Sequence, residues 1–340
     1  MYFNHADRNF STWWKSKDFS RINYGAGLTQ YNFRGRREKV FTGFIAGYTT
    51  QFAFGYQNIY VDKLRRHSIN LEAYFENQNK LDYSIRQNEP VELETESRIY
   101  KKNNFIVNYA YRKKIHKTFG AIFLFFDFSI SDTIALLNSD YLGQSKKEVT
   151  FSGINFYYEN DQRDLKYYPL AGYYVLLKFN YYGLFNSEYN KPEVEASYHK
   201  FFRLSPDFFF SAGIKTQLTP KIDQPYILKE ALGYDYFLRG YENYVINGHN
   251  YLLFKSNLKY RLLPEKSLTL NSFHLNNSIK FTFQLMQMYF SMQDMSRIFF
   301  PMPKMWEIIS LIPDFILSVQ ALILLRITTK CLGLTLPVTG

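Results

Sequence analysis

Along most of the chain, apolar and polar positions alternate with period two in runs of roughly 9–13 residues, the length that crosses a bilayer as a tilted strand. In 67–76, Ile69, Leu71, Ala73 and Phe75 share one face, while Ser68, Asn70, Glu72 and Glu76 share the other. In 251–262, Leu252, Phe254, Leu258, Tyr260 and Leu262 lie opposite Lys255, Asn257, Lys259 and Arg261. The same pattern predicts strands near 22–31, 37–47, 48–58, 103–113, 117–130, 148–160, 171–182, 193–204 and 207–219, with a weaker one near 81–87. A soluble β-sandwich also alternates, but its strands average about five or six residues, half the length found here. The pattern therefore predicts an all-β fold: an antiparallel transmembrane β-barrel, here with about thirteen strands. Short turns such as Ser205-Pro206-Asp207 join some strands and longer polar stretches, 88–102 and 131–147, join others. That asymmetry fits a membrane barrel. The acidic stretch 87–97 reads as a solvated loop.

Composition sharpens this picture. The 19% aromatic content, with 30 Tyr and 33 Phe, exceeds what a soluble core needs and suits rings placed at both membrane interfaces. A negative mean hydropathy argues against a helical membrane protein. The net charge of +11 is carried by Lys and Arg scattered among aromatics. Scatter of this kind argues against nucleic-acid binding and fits a basic interior or loop set facing anionic lipid or an unfolded client. The single cysteine, Cys331, excludes a disulfide framework and a Cys-based metal site. His67, His199 and His249 fall in separate strands or loops without metal-ligand spacing. No Ser/His/Asp set emerges, so no enzymatic activity, metal or cofactor is expected. The opening MYFNHADRNFSTWW lacks the basic and apolar regions of a secretory signal, so upstream residues are expected in the intact gene.

Two segments go beyond a generic barrel. In the first, Asp161 to Gly183, one strand ends with Asp161, Arg163 and Asp164, the chain turns through Pro169 and Gly172, and the next strand starts at Tyr173. The three charges read either as solvated strand-end groups or as a structural salt bridge. The second segment, Leu232 to Leu262, centres on Leu238, Arg239, Gly240 and Tyr241 in a long connection. On its own, Arg-Gly reads as a solvated loop arginine beside a turn glycine. Inside a lumen, Arg239 would instead have to be paired, and its planar fork could clamp a carboxylate while Gly240 permits a tight turn.

Together, in this order and spacing, the segments resemble the barrel of the BamA/TamA outer-membrane assembly family over about residues 6–270. The first is similar to that family's D-x-R-D…YP-x-x-G-Y hairpin. The second is similar to its (V/L)-R-G-(F/Y) motif, carried on a loop that folds back into the lumen. The resemblance implies a bacterial outer-membrane protein whose barrel has about sixteen strands. It also implies insertion or translocation of other proteins without covalent chemistry, by lateral opening of the seam between the first and last strands. Implied partners are outer-membrane lipid, unfolded outer-membrane protein clients, and the POTRA domains and accessory lipoproteins absent from this chain. A passive pore or structural barrel is the alternative.

From about His274 the character changes. Six of the seven Met lie beyond residue 280, but only one Tyr, Tyr289, does. The domains are accordingly drawn as an incomplete barrel over 1–274 and an aberrant tail over 275–340, irregular or helical. Read one base out of frame, the tail permits alternating strands that resemble the family's closing strands. Met286, Met288, Met292, Met302, Met305 and Trp306, which leave little codon choice, then yield Ala, Val, Ala, Ala, Val and Gly, all consistent with such strands. The restored FFDAG segment would carry the expected carboxylate partner of Arg239. A frameshifted tail leaves the barrel unclosed, and the chain as written is expected not to work.

Overall fold

The computed structural model describes residues 2–5, 13–14, 17–185, 189–220, 224–236, 241 and 244–261, with short backbone strands at 266–271, 278–286, 289–290, 319–320 and 324–326. The first part of the wall is built from β1 (Tyr2–His5), β2 (Ile22–Phe33), β3 (Glu38–Gly47), β4 (Thr49–Tyr60) and β5 (His67–Gln78). A ribbon of β6 (Lys80–Arg86) and β7 (Glu89–Glu94) follows, then β8 (Tyr100–Lys114), β9 (Lys117–Ile130), β10 (Glu148–Asp161), β11 (Gly172–Leu184), β12 (Lys191–Arg203) and β13 (Phe208–Leu218). Two short strands, β14 (Glu230–Leu232) and β15 (Ile246–Asn247), precede β16 (Tyr251–Tyr260). Beyond it lie β17 (Lys266–Asn271), β18 (Ser278–Met286), β19 (Tyr289–Phe290), β20 (Val319–Gln320) and β21 (Leu324–Arg326).

Among the described residues, one antiparallel sheet of 14 strands runs β1-β2-β3-β4-β5-β8-β9-β10-β11-β12-β13-β16-β19-β20, with β1 and β20 at its two edges. Alternation sorts each strand's side chains onto two faces. On the convex face, aromatic rings meet from strand to strand: Phe52 stacks on Phe75 at 6.3 Å, Phe75 meets Phe105 edge-on at 5.5 Å and Phe105 tilts on Phe125 at 6.0 Å. These rings are exposed or half-exposed, as lipid-facing groups are. The concave face mixes polar groups such as Glu193, Glu195 and Lys215 with buried apolar ones such as Leu124, Phe128 and Phe151. Across it Lys259 Nζ of β16 donates to the Pro169 carbonyl in the β10–β11 connection at 3.0 Å, reaching past β12 and β13.

The two ends of the wall differ. At one, short connections join β2–β3, β4–β5, β8–β9, β10–β11 and β12–β13. At the other, long connections carry the β6–β7 ribbon, a six-residue helix (Asp132–Leu137) capped by the Ser131 hydroxyl, and the excursion 219–250. These long pieces share a small core with the wall: Ile99, Phe128, Ile134, Leu142, Phe151 and Tyr189 are all nearly fully buried together.

One expectation is overturned. Segment 81–87 is not a barrel strand and 87–97 is not a solvated loop: β6 and β7 pair with each other, Leu81 opposite Leu93, outside the main sheet. Seven residues are too few to cross a bilayer. Gln87 and Asn88, with φ of 52° and 64°, supply the two left-handed positions that a tight hairpin turn needs. Leu81 and Leu93 pack toward the core of the long-connection end, which holds the ribbon there. Beyond residue 261 the described pieces are strand, with β18 pairing both β17 and β21. Residue 274 and most of 275–340 lie outside the described residues.

Candidate functional site

The β10–β11 hairpin folds around its charged residues. Asp161 ends β10, and Arg163 returns to it through two parallel bonds, Nε to Oδ1 and Nη2 to Oδ2, both 2.8 Å. The guanidinium lies 4.5 Å from the Tyr174 ring centre and also donates to the Lys166 carbonyl at 3.1 Å. This is the fork-on-carboxylate geometry that makes arginine pairs directional. Asp164 does a different job. Its Oδ1 accepts from the amides of Leu165, Leu170 and Ala171 at 2.9, 3.0 and 3.3 Å, closing the loop on itself. Gly172 sits at φ +98°, and a Cβ there would collide with the Gln162 carbonyl. Tyr173 then begins the paired part of β11, its carbonyl accepting from Gln162 N at 2.9 Å. Pro169 offers its carbonyl to Lys259, so the loop is tied to the concave face of β16.

The second segment is only partly visible. Leu238, Arg239 and Gly240 lie outside the described residues. Tyr241 is exposed, its ring 5.8 Å from that of Tyr244. What precedes it is informative: Tyr236 covers the Lys215 ammonium at 3.2 Å and tilts against Tyr251 at 6.4 Å. Leu232, Tyr251 and Leu253 bury one another beside it. The excursion therefore folds onto the concave wall at β13 and β16.

That wall carries a charge network that inspection of motifs passes over. Glu195 of β12 accepts from Lys215 at 2.6 Å and from Lys178 at 3.3 Å. Glu193 accepts from Asn180 at 2.9 Å and Gln217 at 3.0 Å and pairs with Lys191 at 2.9 Å. All line one face because β12 places Lys191, Glu193 and Glu195 two residues apart. That spacing, interleaved with Val194 and Ala196, was the available signal.

The opposite part of the sheet is an edge. β1 covers β2 only from Ile22 to Gly25. From Ala26 to Phe33 the second side of β2 has no strand partner among the described residues, and Leu28 and Tyr31 are 77% and 70% exposed. Just before β2, Arg21 pairs with Glu92 of the β6–β7 ribbon at 2.5 Å, and the Tyr48 hydroxyl donates to the same carboxylate at 2.9 Å. Burial pushes the Glu92 carboxyl above the ordinary carboxylate range, against the pull of Arg21. Among the described residues no cluster of His, Cys, Asp and Glu could hold a metal ion.

No protein-family model and no curated protein matches the chain. Among solved structures, BamA from Haemophilus ducreyi lacking POTRA domains 1-3 aligns with 88% of this chain and 59% of its own length, at 13% identity and a TM-score of 0.57. The chain shares the fold of that barrel. CdiB from Escherichia coli (11% identity, 80% of this chain, 53% of that one, TM-score 0.44) and CdiB from Acinetobacter baumannii (12%, 79%, 52%, 0.42) are more distant. The chain thus spans between about half and three-fifths of the structures it resembles. On that wall the loop between β10 and β11 reaches Lys259 of β16, Tyr236 reaches Lys215 of β13, and β2 lies next to the short edge strand β1.

Proposed function

We propose that this chain is the barrel part of a factor that inserts or translocates other proteins at the outer membrane, acting without covalent chemistry. The observation that supports the reading is the margin of β2 from Ala26 to Phe33, which has no second strand partner among the described residues. An unpaired strand edge in a bilayer leaves backbone groups unsatisfied at several kcal/mol each, so it must acquire a partner. A strand of an unfolded outer-membrane client is such a partner, added by main-chain pairing. The long-connection end then faces outward and the short turns face the periplasm, as membrane barrels are built. POTRA domains and accessory lipoproteins would gather clients on that side. The Leu238-Arg239-Gly240-Tyr241 segment would pin the excursion to the lumen wall, with Asp161, Arg163 and Asp164 bracing the opposite mouth.

A passive pore is the competing function. Against it we set the apolar core shared by the long connections and the packing of Tyr236 over Lys215, which support a filled concave side rather than an open one. The experiment is reconstitution in lipid vesicles with an unfolded client barrel. Faster client folding, and disulfide trapping of the client by Leu28→Cys, support insertion. Steady ion conductance without either effect supports the pore. Sequencing the locus tests the out-of-frame origin of 275–340: an intact frame with a natural terminus refutes it.

A further inference from the structure

The charge of the chain is not spread evenly between the two ends of the wall. The connections at the end that carries the ribbon, 48, 79–99, 131–147, 185–190 and 219–250, contain 8 Lys and Arg against 12 Asp and Glu. Those at the other end, 34–37, 61–66, 115–116, 162–171 and 204–207, contain 8 against 3. The excess gathers on the first two hairpin turns, and the end of β8 extends it. Arg34, Arg36 and Arg37 form the β2–β3 turn, and Lys63, Arg65 and Arg66 the β4–β5 turn. Arg112, Lys113 and Lys114 close β8. All nine are exposed.

These hairpins form one continuous arc. Arg36 Nη2 donates to the Tyr60 carbonyl at 2.8 Å, joining the first to the second. Arg112 N donates to the Arg66 carbonyl at 2.7 Å, joining the second to the third. Within the arc the nearby acids are Glu38, already paired with Arg34 at 2.9 Å, and Asp62, whose carboxylate accepts from the backbone amides of Arg66 and His67.

The height of the arc is marked by an outward-facing belt. His67 stacks on Tyr111 at 4.7 Å, and Phe119 tilts on Tyr158 at 4.9 Å. Aromatic belts of this kind sit at the membrane interface. Arg66 adjoins His67 and Arg112 adjoins Tyr111 in sequence. At about 3.3 Å per residue the cations from Arg112 to Lys114 lie within about 10 Å of the belt, at the level of lipid headgroups. Exposed apolar tips, Val61, Leu64 and Ile115, stand among them.

We infer that this arc is a binding surface for anionic phospholipid headgroups in the leaflet at the short-turn end. Several cations at headgroup height attract phosphate-bearing lipids additively, and the attraction decays within a Debye length. The surface flanks the β2 margin, so bound lipid would border the place where a client enters. The inference rests on the transmembrane reading of the wall.

The test uses the full chain reconstituted in phosphatidylcholine vesicles, with spin-labelled phosphatidylglycerol or phosphatidylcholine reporting the motionally restricted boundary lipid. Phosphatidylglycerol is expected to be preferred about threefold or more at low salt, and about equally in 1 M NaCl. The variant Lys63→Glu/Arg65→Glu/Lys113→Glu/Lys114→Glu is expected to lose the preference. Arg86→Glu/Lys146→Glu, at the opposite end, is expected to keep it. Equal association of both lipids with the unaltered chain, or a preference that survives the four substitutions, overturns the inference while leaving the barrel intact. That includes the case in which the arc serves an acidic protein partner. Absence of any restricted component with either lipid overturns the transmembrane reading, and the inference with it.

Discussion

Strands β2 and β12 have nearly the same length and both alternate, yet the fold treats them differently. β12 pairs with β11 and β13 on its two sides, and its inward charges are buried and bonded. β2 pairs with β3 along its length but with β1 at four positions only, and nearly every residue from Gly25 onward is exposed. Alternation makes a strand; neighbours on both sides make it a stable part of a wall. Under the proposed function the difference also separates two tasks, the paired wall as scaffold and the β2 margin as the place where a client strand adds.

The largest expected effect is on the scaffold. Glu195→Ala leaves Lys178 and Lys215 without their shared carboxylate and should destabilise the folded barrel by about 3–5 kcal/mol, read from denaturant unfolding in vesicles. Next comes a matched pair of truncations. Leu253→Ala, in the buried cluster on the concave face, should cost about 2–4 kcal/mol, whereas Leu28→Ala on the bare margin should cost less than about 0.5 kcal/mol. Equal costs would erase the contrast between wall and margin.

Gly172→Ala forces a Cβ into a left-handed conformation against the Gln162 carbonyl and should cost about 1–3 kcal/mol, with local loss of amide protection at Gln162 and Asp164. The smallest effect concerns the tie between the start of β2 and the β6–β7 ribbon. Because the folded Glu92 carboxyl is raised, the folded state holds that proton to higher pH than the unfolded chain does. The site therefore favours the fold at acid pH, and this contribution is lost as pH rises through the folded value. Glu92→Gln should flatten the pH dependence of amide exchange across Glu89–Glu94. An unchanged slope would show that the tie does not govern opening of the ribbon.

Much of the wall was legible in the chain itself. Period-two runs placed ten of the eleven long strands within two residues of their observed limits, and β8 within three. The rule is local, since a side chain facing lipid and its neighbour facing water demand alternation whatever lies beside them. The limits of the β10–β11 hairpin were legible for the same reason, whereas the pairing of Asp161 with Arg163, left open by the sequence, was decided by the folded loop. Segment 81–97 was not. Its pattern was compatible with a strand and a loop, and only packing of Leu81 and Leu93 against a core assembled from distant connections decides for a ribbon.

By itself, then, the sequence determined the limits of the long strands and the two faces of each, which depend on neighbours along the chain. Only the tertiary structure decided which strands pair on both sides, which carboxylate meets which ammonium, and that the three basic turns form one arc. Those outcomes depend on register and curvature. They bring Lys215 to Glu195 across 20 residues, Arg21 to Glu92 across 71 and Lys259 to Pro169 across 90, separations over which no local pattern carries information.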